Sequence, residues 1–342
     1  MLWTNLYWKA HDLAIDLLPP LVSRQVARLV TSKMPALPQR SGPAAAAGPA
    51  PGDPAVERVS TLEELDEWIR RADAAGAASD DELRRVLAAF EFAIDTKMPV
   101  DPFSEEYAAA QRELYTKITG HSQYRSVEHE QTPFEMGPAV IRSPFPYATQ
   151  STATLGEQLI RQGLLIRQLK LRPPARVIEF GPGWGNLTLE LAKMNLAVTA
   201  VDVYPKFTEL ISERAKQLGL DIQTVTCDML DYRTAEPFDA AIFFESFHHC
   251  SDHLQMLRNL TQIVKPDGFI AFGSEPIVPL PYPWGLRLDG MAVWSTRKFN
   301  WQENGFTPEY FTKALARTGW KAEFTFGVDA PGSVVVAYLQ PV

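Results

Sequence analysis

The apolar positions of this chain change rhythm part-way along it. Between residues 60 and 120 they recur at helical spacing in TLEELDEWIRRADAAG, SDDELRRVLAAFEFAID and SEEYAAAQRELYTKITG. Each stretch begins at a hydroxyl residue suited to capping a helix: Ser60 or Thr61, Ser79, and Ser104. The third ends at Gly120. From residue 152 a helical pattern, TLGEQLIRQGLLIRQL, leads into short apolar runs that alternate with amphipathic ones. ARVIEF (175–180), AVTAVDV (197–203), IQTVTCD, FDAAIFFES and FIAFGSEP read as strands. NLTLELAKM, FTELISERAKQLG, DHLQMLRNLTQIV and TPEYFTKALARTG read as helices, the last with Thr307 as cap and Pro308 in its first turn. Such alternation requires a mostly parallel, doubly wound sheet. The last two strands, KAEFTFGV and SVVVAYLQ, are joined by DAPG, too short for a crossover, so they form an antiparallel hairpin. The expected fold is α/β: a doubly wound, mostly parallel seven-stranded sheet with a C-terminal antiparallel hairpin, plus an N-terminal helical region.

The flanks differ in composition. Residues 1–34 read as two short amphipathic helices broken at Pro19 and Pro20. Packing on the rest of the protein is the simplest role for them. Trp3, Trp8, Arg24 and Arg28 also suit docking on a protein or a membrane surface. Residues 35–58 are rich in Pro, Ala and Gly and read as a disordered linker. Residues 59–150 form the helical region and a substrate lid, and 151–342 the sheet domain.

The formal net charge of −8 and the lack of a basic stripe exclude a general nucleic-acid binder. Cys227 and Cys250 are the two cysteines, so no disulfide framework exists. The N-terminus is a poor signal peptide, and no run of about 18 apolar residues would span a membrane. A cytoplasmic protein is expected. The oligomeric state cannot be read from the sequence.

The first strand runs into EFGPGWGNLT (179–188). Gly181, Gly183 and Gly185 allow a tight turn and close approach of a ligand, and Asn186 is placed to cap the next helix. Asp202 ends the second strand, where a carboxylate can accept from both hydroxyls of a ribose. The third glycine falls two residues after the second, not three as in a dinucleotide fingerprint. Glu179 would repel a pyrophosphate and suits an ammonium group. This stretch resembles the first motif of the class I S-adenosylmethionine-dependent methyltransferases, and the resemblance extends over residues 152–342. It implies S-adenosylmethionine (SAM) as cofactor, with Asp202 at the ribose and Asp228 and Met229, from TCDMLD, at the adenine edge. VKPDGFIAF is similar to the family's turn into strand five, and the terminal hairpin to its reversed last strand. Trp184 departs from the small residue usual at its position. Its ring is expected to cover part of the cofactor or to fill a gap against the N-terminal region.

FFESFHHCSDH (243–253) holds three of the six histidines and resembles the HHxxD form of motif IV in small-molecule methyltransferases. It lies at the carboxyl end of strand four, where open α/β sheets bind ligands. Glu245, His248 and His249 are therefore the candidate catalytic residues, with either histidine able to accept a proton near neutrality. Both could instead shape the pocket without moving one. Metal ligation by Glu245, His248, His249 or His253 is the weaker alternative, because the spacing lacks a convincing i, i+4 pair on an established helix and no CxxC is present, and no metal is expected. Ser251 is the expected cap of the next helix.

The acceptor pocket is expected from two segments outside the core, 121–150 and the long insertion 277–306. Tyr124, Arg125, Tyr147, Arg287 and Trp294 are the candidate substrate-binding residues. Mixed aromatic and charged side chains suit a small acceptor, a carbohydrate or other polyhydroxylated molecule, methylated on oxygen. A natural-product or quinone-type acceptor, or a SAM-binding scaffold without turnover, are the alternatives.

Overall fold

The structure is a computed structural model that describes residues 56–94, 97–121, 123–145, 151–326 and 333–340. The two short helices expected in 1–34 and nearly all of the 35–58 linker lie outside the described residues. The linker's last residues instead enter β1 (Glu57–Val59), which pairs in parallel with β2 (Phe90–Phe92). Between them run α1 (Leu62–Ala78) and α2 (Asp80–Ala88). The sequence pattern carries the second helix on through FEFAID, but the chain leaves it at Ala88. Phe90 and Phe92 face the core and Glu91 faces out, a two-residue period that suits a strand. Then come α3 (Glu105–Thr119), two short helices α4 (Ser126–His129) and α5 (Pro138–Arg142), and α6 (Thr152–Leu169).

The sheet domain alternates strand and helix except between β5 and β6: β3 (Arg176–Phe180), α7 (Asn186–Lys193), β4 (Ala197–Asp202), α8 (Pro205–Leu218), β5 (Ile222–Thr226), β6 (Phe238–Phe244), α9 (His253–Ile263) and β7 (Val264–Gly273). The KPDG turn is absorbed into β7, whose register against β6 shifts between Phe238 and Ala240. Last come α11 (Pro308–Arg317), β10 (Trp320–Phe326) and β11 (Ser333–Leu339). The seven strands lie in the order β10-β11-β7-β6-β3-β4-β5, with β11 antiparallel to both of its neighbours and the pairs from β7 to β5 parallel. The seven-stranded α/β fold and its C-terminal hairpin are as the sequence implies.

Both faces of this sheet are covered, as parallel strands require. In β3, Val177 packs under α6 and α7, while Ile178 and Phe180 face the opposite layer with α9 and α11. Phe243 anchors that layer, with ring centroids 5.2 Å from Phe180 and 5.4 Å from Phe272. The chain order reverses between the adjacent strands β3 and β6. This opens a crevice at their carboxyl ends.

The insertion is not irregular. It forms β8 (Trp284–Leu286) and β9 (Asn304–Phe306), an antiparallel pair closed by α10 (Gly290–Phe299). Leu286 and Val293 share a core with Trp68, Phe90 and Leu114 of the helical region. The buried Tyr107 hydroxyl donates to the Trp284 carbonyl at 2.8 Å, and Gln111 brackets the same strand. Tyr107→Phe is therefore expected to lower stability by about 1 kcal/mol, since a buried acceptor loses one of its donors. Chemical denaturation would show this as a lower midpoint at unchanged slope. Among the described residues, no helix is long and apolar enough to cross a membrane.

Candidate functional site

The crevice begins with the glycine turn after β3. Gly181, Gly183 and Gly185 all have positive φ, at 64°, 53° and 72°. A Cβ on Gly181 would lie 2.7 Å from the Ser246 Cβ, and one on Gly185 2.4 Å from Ile211. In front of Gly183 there is open space. The sequence places Asn186 as the helix cap, but Gly185 in a left-handed conformation occupies that position and no side chain caps α7. The Asn186 amide instead donates to the Pro144 carbonyl at 2.9 Å and accepts from Arg214 at 2.9 Å. The first N–H groups of α7 are thus left without a side-chain partner beside the turn.

Asp202 reaches back under this turn. Its carboxylate accepts from Gly183 N at 3.1 Å and from Tyr204 N at 2.8 Å. Burial lifts its pKa to about 6, against the two backbone donors. Asp228 accepts from Leu230 N at 2.7 Å and from the Ser126 hydroxyl. Gly181, Gly183, Asp202, Asp228 and Met229 line one open cavity of about 760 Å³. A second chamber beside it is lined by Glu179, Gln158, Gln162 and Trp184, and Glu245 borders both. Glu179 is fully buried and accepts from the Thr188 hydroxyl at 2.6 Å. Burial lifts its pKa to about 7, and the Thr188 bond opposes the rise. Gln162 Oε1 is buried without a hydrogen-bond partner among the described residues. Trp184 packs against Phe134 in a tilted arrangement, ring centroids 4.7 Å apart, so its ring fills the gap against the 121–145 segment while bordering the second chamber.

The histidine-rich stretch turns at the end of β6. Glu245 takes a positive φ of 52° and is held by Arg161 at 2.7 Å. Burial raises its pKa and Arg161 opposes this. Phe247–His249 form a single 3₁₀ turn pinned by Glu275, two residues beyond the end of β7. Glu275 accepts from the backbone N–H groups of Ser246 and Phe247 at 2.8 Å and of His248 at 3.1 Å. The same carboxylate meets His248 Nδ1 at 2.7 Å, and His248 Nε2 points at Glu303 at 3.5 Å. His248 therefore sits behind the cavity wall, and His249 sits on it. His249 Nδ1 lies 3.1 Å from Glu130. Burial disfavours the charged ring, but Glu130 outweighs it and lifts the pKa to about 9. His253 is a core residue, bonded to the Tyr310 hydroxyl at 2.6 Å, with its pKa lowered to about 3 by burial. Asp252, not Ser251, caps α9.

The predicted acceptor residues disperse. Tyr124 lines the cavity and donates to Glu130 at 2.7 Å. Arg125 points to solvent and pairs with Glu128 at 3.0 Å, while its neighbour Ser126 faces the cavity. Arg287 stands behind Glu303, at 3.4 Å, and beside Asp289 at 3.2 Å. Trp294 belongs to the helical core: its ring N–H donates to Asp73 at 2.9 Å and Lys298 lies over its face. It does not line the cavity because α10 turns that face toward α1. Tyr147 lies outside the described residues. Glu130, Glu275, Glu303 and Trp301 were not singled out from the sequence as site residues. Glu275 carried a usable signal, an acid at the carboxyl end of a buried strand next to strand four.

Residues 177–268, which hold the glycine turn, Asp202, Asp228 and the histidine turn, match the family described as a methyltransferase domain. SAM is the cofactor of such a domain. The chain is 30% identical over 153 residues to a 27-O-demethylrifamycin SV methyltransferase of Amycolatopsis mediterranei, covering 43% of this chain and 55% of that one. It is 31% identical over 96 residues to a ubiquinone biosynthesis O-methyltransferase of Caulobacter vibrioides, covering 28% and 38%. The chain thus spans about half the length, or less, of these curated relatives. A SAM-dependent methyltransferase structure from Aquifex aeolicus aligns over 60% of this chain and all of that one, at 16% identity and a TM-score of 0.44.

Proposed function

We propose that the chain is a SAM-dependent methyltransferase that methylates a hydroxyl oxygen of a small acceptor. One observation carries this reading: at the carboxyl ends of β3 and β6, a glycine cradle meets two imidazoles, each backed by a carboxylate. When bound, SAM supplies an electrophilic sulfonium methyl. The cradle fits it. Open space fronts Gly183, Asp202 is set for ribose hydroxyls, and Asp228 and Met229 would hold the adenine edge. Glu179 and the unpartnered Gln162 Oε1 are both acceptors suited to an ammonium group.

The chain's own work is orientation, which can contribute roughly 7–11 kcal/mol to the barrier, and activation of the hydroxyl. We place that activation at the His248–His249 pair, with Glu245 held beside it by Arg161. As to the acceptor, two of the aromatic residues behind the carbohydrate reading, Trp284 and Trp294, are engaged in the core. The relatives' names speak of rifamycin SV and of ubiquinone biosynthesis. A natural-product or quinone-type hydroxyl therefore stands ahead of a carbohydrate one.

Labelled SAM incubated with the full chain and fractionated extract, followed by mass spectrometry, tests this reading. A labelled small molecule is expected. SAM bound in calorimetry but never turned over would leave a scaffold, and no binding at all would sink the proposal.

The raised acids give a pH signature. In the free chain Glu179 and Asp202 take up protons as pH falls through about 7 and about 6. A cationic ligand that donates hydroxyls favours their ionised forms. SAM affinity should therefore rise about tenfold or more from about pH 5.5 to about pH 8, then level off. A flat calorimetric profile would remove both acids from the contact.

A further inference from the structure

We propose that His248, His249 and Glu303 bind one divalent first-row transition-metal ion of the Zn²⁺ kind. This deepens the function above by naming what activates the hydroxyl at the histidine pair. Its role rests on that reading, while its geometry does not.

One donor atom from each of the three residues lies within 4.8 Å of the other two. His248 Nε2 and Glu303 Oε2 face each other at 3.5 Å, too far for a hydrogen bond between them. Each ring has a carboxylate at the nitrogen on its other side: Glu275 at 2.7 Å from His248 Nδ1 and Glu130 at 3.1 Å from His249 Nδ1. The His249 contact is off the line of a good hydrogen bond, and its Nδ1 is buried without a hydrogen-bond partner among the described residues. The Glu275 carboxylate behind the His248 ring fixes its tautomer and leaves its Nε2 as a lone-pair donor, the arrangement that supports metal-binding histidines. Glu275 is itself fixed by three backbone N–H groups, so the His248 ring has little freedom to turn.

Charge points the same way. Three carboxylates (Glu130, Glu275 and Glu303) surround the two rings, with Arg287 as the cation on Glu303. Arg161 and Glu245 cancel each other nearby. Because Arg287 also pairs with the half-exposed Asp289, an excess of at least two negative charges remains. Two imidazolium rings would balance it, but their centroids are only 4.2 Å apart, and two like charges at that distance repel strongly in a partly dry site. One divalent ion balances it without that repulsion. Two nitrogens and one carboxylate oxygen match the protein donor set of catalytic zinc, and one of the three ligands, His249, lines the cavity.

The test is titration of the chelator-treated full chain with Co²⁺ and Zn²⁺, followed by calorimetry and the visible absorption of Co²⁺. One ion per chain is expected, with a Co²⁺ spectrum that Zn²⁺ displaces. Glu303→Gln and His249→Ala should each weaken binding at least tenfold, and Glu275→Gln by roughly 10–100-fold, as for carboxylates that support a ligating histidine. SAM binding, measured on the same variants, reports that they are folded and that the cofactor site is separate. His121 and His129, with rings 5.0 Å apart near the surface, are the nearest adventitious pair. No binding by the native chain would overturn the proposal. So would binding lost in H121A/H129A, or binding left intact in E303Q and H249A. None of these outcomes decides whether the native chain binds SAM and transfers its methyl group, which the labelling experiment reads separately.

Discussion

Asp202→Ala is expected to weaken SAM binding by about 100-fold or more, with the fold intact. Two effects act together. The carboxylate would lose its hydrogen bonds to the ribose, each of the charge-assisted kind that contributes about 1.5–3 kcal/mol. It would also release Gly183 N and Tyr204 N, which it now holds at 3.1 and 2.8 Å. The glycine turn would then sample other shapes, so part of the loss is preorganisation. Asp202→Asn separates the two, because its amide oxygen still accepts from one backbone N–H. It should fall between the wild type and Asp202→Ala. Calorimetry reads both, and Asp202→Ala binding within threefold of wild type would remove this residue from the cofactor site.

His248→Ala and His249→Ala should each lower turnover by about 10²–10⁴-fold, the range for loss of a group that activates a hydroxyl. SAM affinity should change little, because neither ring takes part in the glycine turn or bonds to Asp202. The two variants should differ in character. His249 lines the cavity, so its loss should raise KM for the acceptor as well. His248 is 7% exposed and clamped between Glu275 and Glu303, so its loss should act almost wholly on kcat. If both variants keep near wild-type turnover with SAM bound, the pair does not activate the acceptor. Glu275→Gln is the companion: it keeps the volume and removes the charge behind His248, so a fall in kcat there argues for positioning through the ring.

What the sequence disclosed followed local rules. Strands β3, β4 and β6 are short apolar runs, and the glycine turn with Asp202 beyond it sits in a fixed place relative to them. Both could be read because each depends on neighbours within a few residues. The insertion misled because it looks irregular in isolation. Its helix and two short strands are stabilised by Tyr107, Gln111 and the helical core, which are remote in the chain. Trp294 was misplaced for the same reason, since its partner Asp73 belongs to a different part of the sequence. Glu130 and Glu303 stand in the two segments expected to shape the acceptor pocket, but their place beside the histidines was not legible because they reach the turn only after those segments fold onto it.

Those carboxylates have a consequence for how such a protein could diversify. Glu130, Glu275 and Glu303 all lie outside residues 177–268, the stretch that matches the methyltransferase-domain family, whereas the glycine turn, Asp202, Asp228 and both histidines lie inside it. The glycine turn and its acids thus lie in one stretch of chain, and the carboxylates around the imidazoles come from either side of it. The segment 121–145 also reaches Asp228 through Ser126, whereas Glu303 of the 277–306 insertion faces the histidines. A chimera that swaps 277–306 alone is therefore expected to keep its grip on SAM while the histidines' chemistry and the acceptor change.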